Sequence, residues 1–132
     1  MYRYLIIVLL PAILILSCYC EKKAGKDSIG MQVVHQVAKN KFHNKYKITF
    51  NNTKDYALVT HREKTQIKVI PDLSFFIYSL DKREIIFADT LRSGNVYWKD
   101  KSTIRAVEYD NKAEASVINT YDYNVYAKKK LK

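Results

Sequence analysis

A chain of 132 residues has room for one hydrophobic core beside a short export signal, and a second domain would not fit. Its 2 cysteines, Cys18 and Cys20, lie too close to the amino terminus to staple a fold, and its 3 glycines are too few for a phosphate-cradling loop or a dinucleotide fingerprint. The formal charge of +10 favours polyanions or anionic membrane surfaces as contacts, or a plainly solvated surface; no nucleic-acid motif accompanies it, so nucleic acid is not an expected partner.

In chain order, the first element is an address. Arg3 precedes an apolar run from Tyr4 to Leu16, followed by the small residue Ser17, which matches the three regions of a secretory signal. At about 1.5 Å per residue the run spans roughly 20 Å, short of the roughly 30 Å hydrocarbon core of a bilayer. Pro11 further disfavours a straight anchor.

The tetrapeptide Ile15-Leu16-Ser17-Cys18 resembles the lipobox of bacterial lipoprotein signals: aliphatic first, small third, cysteine fourth. The resemblance implies that residues 1–17 are removed and that the Cys18 thiol carries a diacylglycerol. At about 0.8 kcal/mol per buried methylene, two or three acyl chains hold a protein firmly to a membrane. It also implies a place in the bacterial cell envelope, with the domain in the periplasm or at the surface. Tyr19, where a retention signal would have Asp, leans toward the outer membrane. An ordinary signal cut elsewhere, or a short uncleaved anchor, is the alternative.

Residues 18–27 read as the lipidated cysteine and a charged tether with Gly25, whose Lys22 and Lys23 are candidate contacts for an anionic surface. A single domain is expected over 28–132. Asp27 or Ser28 can cap a helix over Ile29 to Phe42, in which Met31, Val34, Val37, Ala38 and Phe42 recur near helical spacing. The β-branched Val33, Val34 and Val37 make a strand the rival there.

Short apolar runs then predict strands over Tyr46–Phe50, Tyr56–Thr60, Gln66–Ile70, Ser74–Leu80, Glu84–Ala88, Asn95–Trp98, Thr103–Tyr109 and Ala115–Tyr126. Turn-forming clusters punctuate them, such as Asn51-Asn52-Thr53-Lys54-Asp55 and Arg92-Ser93-Gly94-Asn95. Ile48 and Phe50 alternate with Lys47 and Thr49, giving the first strand one wet face. Phe75-Phe76-Ile77-Tyr78 and Ile85-Ile86-Phe87 are apolar on both faces and predict a core hairpin at the centre of a covered sheet. The fold class is therefore α+β, a short amino-terminal helix packed on a twisted, mainly antiparallel sheet of about 6–8 short strands.

The stretches KFHNKYKITFNNTKDYALV and FFIYSLDKREIIFADTLRSGNVYW resemble small lipoproteins of the Bacteroidota in their pattern of aromatic and turn residues. That resemblance implies an exported, anchored and mostly antiparallel domain, and it implies no particular activity.

Catalytic and metal chemistry find little support. His35 and His43 on one helix would stand about 12 Å apart along its axis, too far for one ion, and His61 is followed by the cation Arg62, so no metal site is expected. Asp81, Glu84, Asp89, Asp100 and Glu108 could supply a carboxylate pair, yet each reads more simply as a turn or solvent-face residue. No cofactor and no enzymatic activity are expected.

Among 11 tyrosines, Tyr97, Tyr121, Tyr123 and Tyr126 are candidate surface contacts, beside the plainer reading that tyrosine covers a half-buried sheet; Trp98 reads as core. The functional expectation is a non-catalytic binding or interaction module for an envelope protein or polymer. The alternative is a periplasmic inhibitor or immunity-type protein that blocks an enzyme.

Overall fold

The structure, a computed structural model, describes residues 22–63, 70–112 and 115–131. The chain divides into two compact units, Met1–Val33 and Val34–Lys132. Helix α1 runs Lys22–Phe42, beginning in the first unit and ending in the second. It starts well before Ile29, because Lys22-Lys23-Ala24 are good helix formers, so residues 22–27, expected as tether, are helical. It stops at His43, whose left-handed φ of 58° lets its N–H reach the Lys39 carbonyl at 2.8 Å. Lys39 and Lys41 place positive charge at the negative end of the helix dipole.

The second unit holds eight described strands: β1 Tyr46–Phe50, β2 Tyr56–Arg62, β3 Leu73–Ser79, β4 Glu84–Leu91, β5 Gly94–Trp98, β6 Thr103–Tyr109, β7 Val117–Asn124 and β8 Lys129–Leu131. All neighbours pair antiparallel, as expected. The strands divide into two four-stranded meanders, β1-β2-β3-β4 and β5-β6-β7-β8, where the sequence suggested one sheet. The strand predicted over Gln66–Ile70 lies, Ile70 apart, outside the described residues. β8 escaped prediction because three residues with two lysines carry no apolar alternation.

The division is made at a corner. Between Leu91 and Gly94 the chain leaves the first sheet and enters the second, with Ser93 at a left-handed φ of 55°. The Ser93 N–H donates to Asp72 Oδ1 at 3.2 Å, and its carbonyl accepts from the Tyr109 N–H at 3.0 Å. A Cβ on Gly94 would lie 2.4 Å from the Leu91 Cβ and 2.9 Å from the Val107 carbonyl oxygen, so only glycine fits the corner.

Both faces of the first sheet are covered within the second unit. Alternation sends Ala57, Val59, Phe76 and Tyr78 to one face, where Phe42 packs on Phe76 with ring centroids 5.6 Å apart and stacks on His61 at 5.0 Å. Val34 and Ala38, two turns and one turn before Phe42, are buried on the same helix face. Leu58, Phe75 and Ile77 point the other way, into a core shared with Val96, Ile104, Ala106, Tyr123 and Val125 of the second sheet and its turns. A strand sandwiched in this way must be apolar at successive positions, which is what Phe75-Phe76-Ile77 supplies.

The expectation for Ile85-Ile86-Phe87 needs correction. β4 lies at the edge of its sheet, with Ile85 40% exposed, because the corner after Leu91 sends the next strand to the other sheet instead of pairing it with β4. Phe87 is still held inward by stacking on Tyr123, centroids 4.0 Å apart.

Candidate functional site

Two clefts open on the second unit. The wider, of about 700 Å³, lies beside the end of α1 and is lined by Lys41, His43, His61, Glu63, Ser74, Asp89 and Thr90, among others. His61 donates from Nδ1 to the Lys45 carbonyl at 3.1 Å, since a carbonyl can only accept, and Ser74 and Thr90 share a hydroxyl hydrogen bond of 3.2 Å. Lys41 shares that lining with Glu63 and Asp89, and Asp89 is itself paired with Lys130 at 3.0 Å, so the cleft offers a ligand no dominant charge.

The smaller cleft, of about 320 Å³, lies between β1–β2 of the first sheet and β5 of the second. Register explains its lining. Lys47 pairs with Thr60 and Thr49 with Leu58, and Leu58 faces the inter-sheet core, so Lys47, Thr49, Thr60 and Arg62 all point toward the second sheet. From β5 come Asn95, Val96, Tyr97 and Trp98; Phe50 and Leu73 complete the wall.

Two clamps fix the width of this cleft. The Arg62 guanidinium reaches from β2 to β5, donating to the Gly94 carbonyl at 2.9 Å and to Asn95 Oδ1 at 3.2 Å, with a longer bond of 3.5 Å to the Pro71 carbonyl. The Trp98 indole N–H donates to the Thr49 carbonyl at 3.1 Å, tying β5 to edge strand β1. The lining carries two cations and no carboxylate. A guanidinium has five N–H donors, so among the described residues Arg62 keeps two beyond these three bonds. The Lys47 ammonium makes no ion pair or hydrogen bond among the described residues.

Where charge is satisfied instead, the groups hold the fold together. Tyr121 donates to Asp89 Oδ2 at 2.5 Å, and the Lys130 ammonium sits 3.0 Å from the same oxygen and 4.1 Å from the Tyr121 ring centroid. Burial and the Asp89 carboxylate push the Tyr121 phenol well above its usual range. Burial works to raise Asp89, but hydrogen bonds from Tyr121, Lys130 and the Thr90 N–H outweigh it and bring the carboxyl below its ordinary value. On the outer face of the second sheet, Asp122 takes Arg105 in a two-point contact of 2.8 and 3.0 Å and Lys99 at 2.8 Å. Those hydrogen bonds, Arg105 first, hold Asp122 far below the usual carboxylate range.

These two carboxylates set an acid limit. Both have folded-state pKa values below their unfolded ones, so between those values the unfolded chain binds more protons and stability falls as pH falls. Urea midpoints are expected to hold between pH 7 and 5 and to drop below about pH 4, the unfolded carboxylate range. An unchanged midpoint at pH 3 would count against both ion pairs.

The structure disperses the tyrosines singled out by sequence. Tyr97 is 45% exposed at the small cleft, and Tyr126, 54% exposed, meets Tyr56 edge-on at 5.5 Å. Tyr121 and Tyr123 share the inward face of β7: Tyr123, 3% exposed in the core, is no surface contact, while Tyr121 is half-buried and gives its hydroxyl to Asp89. Lys22 and Lys23 open α1 in the first unit. Cys18 lies outside the described residues.

Trp98 both packs on the core and lines the cleft. The His35 Nδ1 donates to the Tyr46 hydroxyl at 3.2 Å, which in turn donates to the His35 carbonyl at 3.3 Å. Glu84 pairs with Lys128 at 3.5 Å, Asp100 accepts from the Ser102 N–H at 2.7 Å, and Glu108 accepts from Arg92 and Asn119.

Sequence reasoning missed Lys47, Thr60, Arg62 and Asn95 as a group. The alternation of β1 marked Lys47 and Thr49 as one polar face, but only stacking of the sheets shows that this face borders β5. Among the described residues no group of three His, Cys, Asp or Glu is placed to hold a metal, and no helix is long and apolar enough to cross a membrane. No protein-family model matches the chain, and neither curated proteins nor solved structures give a match.

Proposed function

We propose that this protein is a lipid-anchored binding module of the bacterial cell envelope, held by acyl chains on Cys18, with its ligand seated between β1–β2 and β5. The lipobox-like Ile15-Leu16-Ser17-Cys18 supports the anchor. The observation that carries the binding role is the small cleft, held at fixed width by Arg62 and Trp98 and presenting an ammonium that has no partner among the described residues, guanidinium donors and hydroxyl groups. Preformed donors of this kind hold a ligand without first having to be ordered.

The anchor is tested by intact mass and membrane fractionation in a bacterial host, beside Cys18→Ala. The expected result is a membrane-bound chain beginning at Cys18 with the added mass of acyl chains, both features lost in the variant. An unacylated, unanchored chain from the unsubstituted gene would overturn it.

A further inference from the structure

Taking the small cleft to be a ligand seat, as proposed above, we infer that its ligand is a sugar bearing a carboxylate, of the uronic-acid type. Charge comes first. Lys47 and Arg62 contribute two positive charges, no lining residue neutralises them, and both retain donors, so the cleft favours an anion. The remaining lining suits a polyol: the Thr60 hydroxyl can donate and accept, the Thr49 hydroxyl, which donates to the Leu58 carbonyl at 3.4 Å, can accept, and the Asn95 amide nitrogen can donate while its oxygen takes Arg62 and the Val96 N–H. Trp98 has its indole N–H committed to the Thr49 carbonyl, so what it can offer is apolar ring surface for the C–H face of a pyranose.

Size points the same way. A volume of about 320 Å³ is at the lower end of the ~300–1,000 Å³ of small-molecule sites, suited to one sugar ring rather than a folded partner. Lys47, Arg62, Asn95 and Tyr97 are exposed, so the mouth is open and further rings of a polymer can continue into solvent. A charged contact at an open mouth is screened by salt, so binding is expected to weaken as ionic strength rises.

The test is calorimetric titration of the mature, membrane-extracted protein in detergent with trigalacturonic acid. Maltotriose, acetate, inorganic phosphate and a short acidic peptide serve as comparison ligands. Expected are binding of trigalacturonic acid at least about tenfold tighter than any of the four, a loss of about tenfold in Lys47→Ala, and no change in Lys82→Ala, which alters a remote turn. Lys47 is exposed, so its truncation leaves the fold intact, and unchanged circular dichroism checks this.

Equal binding of maltotriose would overturn the carboxylate requirement, and tighter binding of phosphate would make the anion a different one. Acetate or the peptide binding as well as trigalacturonic acid, with the same dependence on Lys47, would overturn the sugar while keeping the cleft as a ligand seat. Binding by none of the five, or binding indifferent to Lys47→Ala, would remove both.

Discussion

Phe76→Ala is expected to lower the unfolding free energy by about 4 kcal/mol, the range for deleting a fully enclosed phenylalanine. Phe76 has no exposed surface; it lies on the face of β3 turned toward α1, against the Phe42 ring. The cavity left there cannot collapse easily, because Ala57, Val59 and Tyr78 around it are fixed by pairing in the middle of the first sheet. For a domain whose net stability is about 5–15 kcal/mol, this is a large share. Phe76→Leu should recover most of it, and Ile85→Ala on the exposed edge strand should cost about 1 kcal/mol or less. Urea unfolding of the three variants checks the ranking. A Phe76→Ala loss no greater than that of Ile85→Ala would refute the doubly covered sheet.

Asn51→Ala is expected to cost about 3 kcal/mol, an unusual figure for a polar residue in a turn. Asn51 is only 3% exposed and uses both ends of its amide. The oxygen accepts from the N–H groups of Asp55 and Tyr56 at 3.0 and 3.1 Å, closing the β1–β2 turn. The nitrogen donates to Thr53 Oγ1 at 2.9 Å and, across to the β5–β6 turn, to the Lys101 carbonyl at 2.8 Å. Truncation leaves several partly buried groups unpaired, and each such group costs about 1–3 kcal/mol before water or relaxation compensates. Asn51→Asp keeps the acceptor and loses the donors, directing a carboxylate at a carbonyl, so it should be destabilised as well. Thermal unfolding of both variants decides. If Asn51→Asp matches the parent, the bond to Lys101 contributes nothing, and the two sheets are joined at that end by apolar packing and the Trp98–Thr49 hydrogen bond.

Asn51 also shows how far the sequence could be read. An asparagine at the head of Asn-Asn-Thr-Lys-Asp marks a turn because its side chain can bond the backbone a few residues on, and the turn is there. Its bond to Lys101, 50 residues away, leaves no local trace. The strands were legible in the same measure. Alternation in Tyr46–Phe50 and continuous apolarity in Phe75–Tyr78 are patterns among neighbours; the second recurs as a fully covered strand, whereas in the first only Lys47 is exposed, because the second sheet borders the polar face and half-covers Thr49. β4 misled because Ile85-Ile86-Phe87 is as apolar as a central strand, although its place at an edge depends on where β5 goes.

The candidate cleft was the least legible part. Lys47 and Arg62 are ordinary surface cations by composition, and Asn95 an ordinary turn residue. What unites them is the packing of the first sheet on the second, with Trp98 and Arg62 as ties. Tyr123 and Tyr97 illustrate the same limit from the other side, since both are strand tyrosines and only the pairing partners decide that one is core and the other exposed.

The sequence by itself therefore determined the class of fold, the helix, most strands and their turns, because helical and strand periodicity and turn chemistry act over a few residues. The tertiary structure alone decided that the strands form two sheets, that β4 is an edge, and that two cations face one cleft without a carboxylate. Those outcomes follow from a corner only Gly94 can fill and from contacts across tens of residues, where the energy lies in surfaces meeting and not in the order of neighbouring side chains.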